Sequence, residues 1–165
     1  MRIRRVHPGD IAALARIAAA SYRAAFAHII GPRALAARDA GFFARRFRRQ
    51  RRRLRLASIA GRPVGFSMAT RRHLDMLFVD PRFAGRGAGR RLLAECERRG
   101  VRTLECFAAN HAARRFYRNL GFQENAYIPG YYGGREMALK MLRELRTPGV
   151  ADVEWELPRP PSNPE

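Results

Sequence analysis

The sequence predicts an α/β domain in which helices cover both faces of a mixed β-sheet. Three observations carry that prediction. Strand-like apolar runs and helical runs alternate along the chain from Ile3 to Met141. One stretch, Leu77 to Leu93, leads from an apolar strand through Pro81 and three closely spaced glycines into an apolar-periodic helix. Another, Asn110 to Phe122, reads as a short helix with both ends marked.

In chain order, residues 2–6 set Ile3 among arginines before Val6 and read as an edge strand. Pro8 and Asp10 open a first helix over about 9–27, where Ile11, Leu14 and Ile17 recur at helical spacing. Arg2, Arg4 and Arg5 before an Ala-rich stretch loosely resemble a leader peptide. Asp10 and Arg16 interrupt the apolar run, so a cytosolic first strand and helix is the expectation. A second helical stretch, about 32–48, carries Leu35, Phe42, Phe43 and Phe47, with a bend or split expected at Gly41. Leu54–Ala60 and Pro63–Thr70 form a hairpin joined at Gly61-Arg62. His73–Val79 is the fourth strand. Simple alternation puts Asp75, Leu77 and Val79 on one face and Leu74, Met76 and Phe78 on the other. The next helix, Gly87 to Arg99, turns Ala88, Leu92, Leu93 and Cys96 inward. Val101–Phe107 is the fifth strand, and strands near Phe122–Tyr127 and Arg135–Met141 follow the Asn110 helix. Residues 1–146 thus make one domain, and the acidic, proline-rich 147–165 make a tail that is either disordered or docked on the basic body through Trp155.

Gly85, Gly87 and Gly89 flank Arg86 where a helix starts. Backbone without side chains lets a ligand approach closely, and the first turn of a helix leaves amides unpaired. With the helix dipole and with Arg86 and Arg90 alongside, the turn makes a phosphate cradle, and a purely structural turn is the competing reading. Neither a P-loop nor a dinucleotide site fits: no Lys-Ser/Thr pair follows the glycines, and no acidic residue ends a second strand about 20 residues on. In the second stretch Asn110 is an N-cap and Gly121 a left-handed C-terminal residue. Ala113, Phe116, Tyr117 and Leu120 form an apolar stripe from which Arg114, Arg115 and Arg118 face away.

Arg-Gly-x-Gly after a strand and a proline, then Asn-x-x-Ala-x-x-Phe-Tyr-x-x-Leu-Gly-Phe, resembles the GNAT superfamily of acyl-CoA-dependent N-acyltransferases, over residues 2 to about 142. The resemblance implies a central, mostly antiparallel mixed sheet flanked by about four helices, with acetyl-CoA as acyl donor and a small-molecule or peptide amine as acceptor. It implies that Gly85, Arg86, Gly87, Ala88, Gly89 and Arg90 hold the pyrophosphate. Leu77, Phe78 and Val79 would pair with the pantetheine arm, and the Leu77 amide would polarise the thioester carbonyl. Asn110, Ala113 and Phe116 would contact the cofactor, and Tyr117 would protonate the departing sulfur. One departure stands out: relatives usually carry Gln or Arg three residues before the first glycine of the pair Gly87/Gly89, and this chain has Ala84. The backbone amides remain, so a working cradle of weaker affinity is expected.

Glu105, five residues before Asn110, sits in an arrangement similar to that of ribosomal-protein N-terminal alanine acetyltransferases, as do Tyr131, Tyr132, Arg135 and Glu136. That makes Glu105 a candidate base for the amine. A strand glutamate paired with an arginine is the competing reading, and His73 with Asp75 is the competing base.

Composition bounds the remainder. The 165 residues carry 33 Lys plus Arg against 14 Asp plus Glu, a net charge of +19. Such a field attracts polyanions, coenzyme A included, and repels polycations such as spermidine. The densest run, Arg45 to Arg55, is read as a solvated helix end and loop. The alternative function is a catalytically inactive module that binds nucleic acid or another anionic partner; it is kept open but not favoured. A homodimer is also left open. Cys96 and Cys106 are expected as buried thiols, the four histidines have no metal-ligand spacing, and no metal is expected. No run is long and apolar enough to span a bilayer.

Overall fold

The computed structural model describes residues 1–130 and 138–143. The tail 147–165 and the run Tyr131–Tyr132 with Arg135 and Glu136 lie outside the described residues. Along the chain come β1 (Arg2–Arg5), α1 (Ile11–Phe26), α2 (Pro32–Ala36), α3 (Ala40–Gln50), β2 (Leu54–Ile59), β3 (Arg62–Ala69) and β4 (His73–Val79). Then follow α4 (Ala88–Arg98), β5 (Thr103–Phe107), α5 (His111–Arg118), β6 (Gln123–Ile128) and β7 (Ala138–Leu142). The strands form one seven-stranded sheet in the order β1-β2-β3-β4-β5-β7-β6. All neighbours pair antiparallel except β4 and β5, which are parallel. The expected mixed, mostly antiparallel sheet is thus the one observed.

Two cores lie on opposite faces of that sheet. Under α1 and α3, Leu14, Tyr22, Phe43 and Phe47 pack on Leu56, Phe66 and Phe107. Under α4 and α5, Leu93, Cys96 and Tyr117 pack on Leu104, Phe122 and Leu139. In α1 the buried Ile11, Leu14, Ala15, Ala18 and Tyr22 trace the helical spacing read from the sequence.

Several expectations are corrected. The second helical stretch splits into α2 and α3 ahead of Gly41, because Asp39 caps α3 by accepting the Phe42 N–H at 2.7 Å. This raises the helix number to five. The β2–β3 turn is Ala60-Gly61, at φ 47° and 75°, one residue earlier than read; two left-handed residues match the twist of a two-residue hairpin. In β4 the simple alternation fails. Met68 pairs with Met76 and Ala69 with Leu74, so Asp75 is an extra, bulged residue and the parity flips across it. Leu74 joins Leu77 on the α4/α5 face, while Met76 and Phe78 pack toward α1 and α3.

The basic run is not uniformly solvated. Arg48, Arg49 and Arg52 are exposed, whereas Arg51 donates to the Val6 carbonyl at 2.9 Å, Arg53 pairs with Asp75, and Arg55 is buried, donating to the Leu54 carbonyl at 2.8 Å. Nor does Arg114 face away. It forks onto Glu124 of β6 with bonds of 2.8 and 3.0 Å and donates to the Ala108 carbonyl at 2.9 Å, clamping α5 to the sheet.

Two predictions follow from this packing. A Cβ on Gly65 would lie 2.8 Å from the Phe78 carbonyl oxygen and 3.2 Å from the Val79 Cα, backbone atoms that cannot swing aside. Gly65→Ala is expected to cost about 1–3 kcal/mol in urea unfolding and to shift β4. Hydrogen bonding to Arg114 holds the Glu124 carboxyl below the usual carboxylate range. Its stabilisation is therefore full above the unfolded value near 4.5 and is lost as pH falls through the lower, folded one. Glu124→Gln is expected to cost about 1 kcal/mol at pH 7, with the gap to wild type closing as unfolding is followed below about pH 4.5.

Candidate active site

The site begins where the parallel pair stops. β4 and β5 are in register only at His73/Thr103 and Leu74/Leu104. Beyond that point Leu77–Val79 has β3 on one side and no strand on the other. The Asp80 N–H donates to the Val64 carbonyl at 2.8 Å. Antiparallel strands alternate the direction of successive residues, so the peptide groups of Leu77 and Val79 point away from β3, into the gap. The Val79 carbonyl there accepts the Ser21 hydroxyl of α1 at 2.9 Å. The Leu77 N–H is left facing the opening.

The opening is a cleft of about 560 Å³. On one side it meets the glycine turn. Gly85 and Gly87 have φ of +74° and +78°, and a Cβ at either would meet nothing within 4 Å. These residues are glycine because of the backbone conformation, and the turn faces open space. The first amide of α4 to reach a backbone carbonyl is that of Arg91, bonded to Gly87 at 3.1 Å. Among the described residues, the amides of 85–90 donate to no backbone carbonyl. Six unpaired donors at a helix N-terminus suit a diphosphate, so the residues present fit the cofactor arm of coenzyme A. Ala84 closes the preceding turn through its N–H to Pro81, at 3.2 Å. Gly89 serves packing instead: a Cβ there would come within 3.2 Å of the Phe116 ring.

On the same side stands α5. Asn110 caps it, its Oδ1 accepting the Ala113 N–H at 3.1 Å, and the residue lines the cleft. Tyr117 lies two turns on, 8% exposed, its ring against Phe116 and Phe122 at 5.1 and 6.0 Å. Tyr117 lines the cleft, and its hydroxyl makes no hydrogen bond to the described residues. Burial raises the phenol above its ordinary pKa, so it remains protonated at neutral pH. The neighbouring Cys106 thiol, half-buried, is pushed up to about 11 by the same desolvation, and Cys96 donates to Ser67 at 3.2 Å in the core. Neither behaves as an activated nucleophile.

Glu105 enters from the other face. Leu104 and Cys106 of β5 belong with Tyr117, whereas Phe107 belongs to the α1/α3 core. Strand alternation therefore puts Glu105 on the α1 face, opposite Lys140 in the β5–β7 ladder. Of the sequence-selected residues, Leu77, Phe78, Val79, Gly85, Gly87, Ala88, Gly89, Arg90, Glu105, Asn110, Ala113, Phe116 and Tyr117 all line this one cleft. Arg86 does not; its guanidinium lies over the Phe83 ring at 5.3 Å. His73 and Asp75 are not brought together. The His73 Nδ1 is 2.9 Å from the Thr103 hydroxyl, and Asp75, though it lines the cleft, pairs with Arg53. Sequence reasoning missed Ser21, which orients the Val79 peptide, and Phe107, which lines the cleft. No local pattern distinguishes a serine in an Ala-rich helix. Among the described residues no group of His, Cys, Asp or Glu could hold a metal ion, and no helix is long and apolar enough to cross a membrane.

Comparison with known proteins bears on this geometry. A domain model described as Acetyltransferase (GNAT) domain matches residues 24–128. The structure of a GCN5-related N-acetyltransferase from Rhodopseudomonas palustris superposes with a TM-score of 0.69 at 29% identity, covering 87% of this chain and 95% of that one. N-alpha-acetyltransferase RimI of Mycobacterium tuberculosis is 47% identical over 57 residues, 33% of this chain and 36% of that protein. The uncharacterised N-acetyltransferase MJ1207 of Methanocaldococcus jannaschii is 32% identical over 93 residues, 46% of this chain and 41% of that protein. The chain thus spans less than half the length of these two curated relatives. The family match runs from the last turn of α1 through β6 and takes in the glycine turn, the opened strand pair and the Asn110 helix. This chain belongs to the GNAT acetyltransferase family.

Proposed function

We propose that this protein is an N-acetyltransferase that moves the acetyl group of acetyl-CoA onto a primary amine by direct attack in a ternary complex. The observation that carries the reading is the row of unpaired amides at Gly85–Arg90, set beside the opened end of β4 and beneath Tyr117. Acetyl-CoA supplies an activated acyl group as a thioester; everything else falls to the chain.

The amides of 85–90 hold the diphosphate, and the outward peptide groups of Leu77 and Val79 pair with the amide-bearing arm as an added strand would. The Leu77 N–H, pointing into the gap, donates to the thioester oxygen as negative charge develops on it. Glu105 takes one proton from the incoming ammonium, directly or through water, because only the neutral amine has a lone pair. As the C–N bond forms and the C–S bond breaks, the Tyr117 hydroxyl donates its proton to the sulfur. The proton still carried by nitrogen returns through water to the phenolate. The raised pKa keeps Tyr117 loaded with its proton before the step, and its donation to the sulfur is coupled to recovery of a proton from the acylated nitrogen. A protein α-amine as acceptor is supported by the likeness to RimI and by the position of Glu105.

Two substitutions test the roles. Tyr117→Phe leaves the ring packing intact and is expected to lower kcat about 10²-fold or more while acetyl-CoA still raises the melting temperature. Unchanged turnover removes Tyr117 from the acid role. Glu105→Gln is expected to slow the reaction at pH 7 and to recover about tenfold per pH unit as the free amine is titrated. A pH profile parallel to that of wild type makes Glu105 a structural partner of β7 only.

A further inference from the structure

The amides and Tyr117 claim the α4/α5 side of the cleft for the acyl donor, so the acceptor must come from the α1 side. The chemistry of that side is narrow. Tyr22 and Phe26, four residues apart on the last turns of α1, stack edge to face at 4.6 Å and both line the cleft. Phe26 also lies 6.3 Å from the Phe78 ring on β4 and 5.0 Å from the Phe107 ring on β5. One side chain of α1 therefore spans the gap between the two parted strands and forms its floor on the acceptor face. Among the described residues two carboxylates line the cleft, Glu105 and Asp75, and Asp75 is tied to Arg53. The one cation in the lining among the described residues, Arg90, stands on the donor side in the first turn of α4.

Resting on the transferase reading, we infer that the acceptor is a primary amine borne on an apolar substituent, received by Tyr22, Phe26, Phe78 and Phe107 with Glu105 at the nitrogen. Aromatic faces attract a single ammonium. They offer nothing to a second charge, which would have to leave water without a partner. Removal from water also eases loss of the ammonium proton, which attack requires. A polyamine is excluded twice, by the rings and by the net charge of +19. An acidic substituent is drawn to the surface by that charge but finds no cation on the acceptor wall among the described residues. The shared chemistry, an ammonium beside an apolar group, is met by a free arylalkylamine and by a peptide with an apolar first residue.

The test measures thiol release from acetyl-CoA with phenethylamine, a peptide beginning with Leu, the same peptide beginning with Asp, and spermidine. Wild type, Phe26→Ala and Phe26→Leu are compared, and acetyl-CoA thermal stabilisation is recorded for each. At least one of the apolar acceptors is expected to exceed both the Asp peptide and spermidine about tenfold or more in kcat/KM, and which of the two does so separates a free amine from a chain end. Phe26→Ala is expected to raise KM for the apolar acceptor about tenfold with KM for acetyl-CoA nearly unchanged, and Phe26→Leu to recover most of the loss. Equal or better turnover of spermidine or the Asp peptide, or an unchanged acceptor KM in Phe26→Ala, overturns the acceptor assignment and leaves the transferase reading standing. No thiol release with any amine, in protein that acetyl-CoA still stabilises, overturns both.

Discussion

Two parallel strands that begin together and then part create the site. After Leu74 and Leu104 the ladder between β4 and β5 ends, and the peptide groups of Leu77 and Val79 face a gap. An unpaired backbone group shut away from water costs about 1–3 kcal/mol, so such a gap persists only if solvent or ligand can enter it. Much of the surrounding structure holds it open. The bulge at Asp75 twists β4, and Gly65 lets β3 press close on the far side. Ser21 fixes the Val79 carbonyl from α1, and the Arg114–Glu124 fork keeps α5 standing over the opening.

The gap also divides the chemistry between the two faces of the sheet. Residues adjacent in β5 point opposite ways, so Cys106 neighbours Tyr117 while Glu105 neighbours the aromatic wall of α1. The proposed proton donor Tyr117 and the proposed base Glu105 thus reach the same cleft from opposite directions. Their separation keeps the phenol in its dry pocket, where burial holds its proton, away from the carboxylate.

The large positive charge belongs to the molecular surface and only slightly to the cleft. Several arginines are held in ion pairs or buried: Arg4 on Asp10 at 2.7 Å, the exposed Arg82 on Asp80 at 2.6 Å, Arg55 inside the sheet. What remains makes a diffuse field that favours anions on approach, and among the described residues the lining contributes one guanidinium, that of Arg90. In the proposed reaction charge and pocket would therefore select different things, the field a phosphate-bearing donor and the rings a weakly charged acceptor.

Local chemistry in the sequence determined the glycine turn, the Asn110 cap, the inward Tyr117 and the order of strands and helices. Each is decided within a few residues, by a φ only glycine adopts readily, by orphan amides wanting an acceptor, or by a repeat of 3.6 or 2. Tertiary structure alone decided the rest. The parity flip at Asp75 depends on register with β3, and the inward turn of Arg114 depends on Glu124, ten residues away across a turn. The dissolution of the His73–Asp75 pair depends on Thr103 and Arg53, and the placement of Phe26 between parted strands depends on where α1 ends over the sheet. Such features arise from contacts between separate elements, and no local repeat along the sequence says which residues will meet.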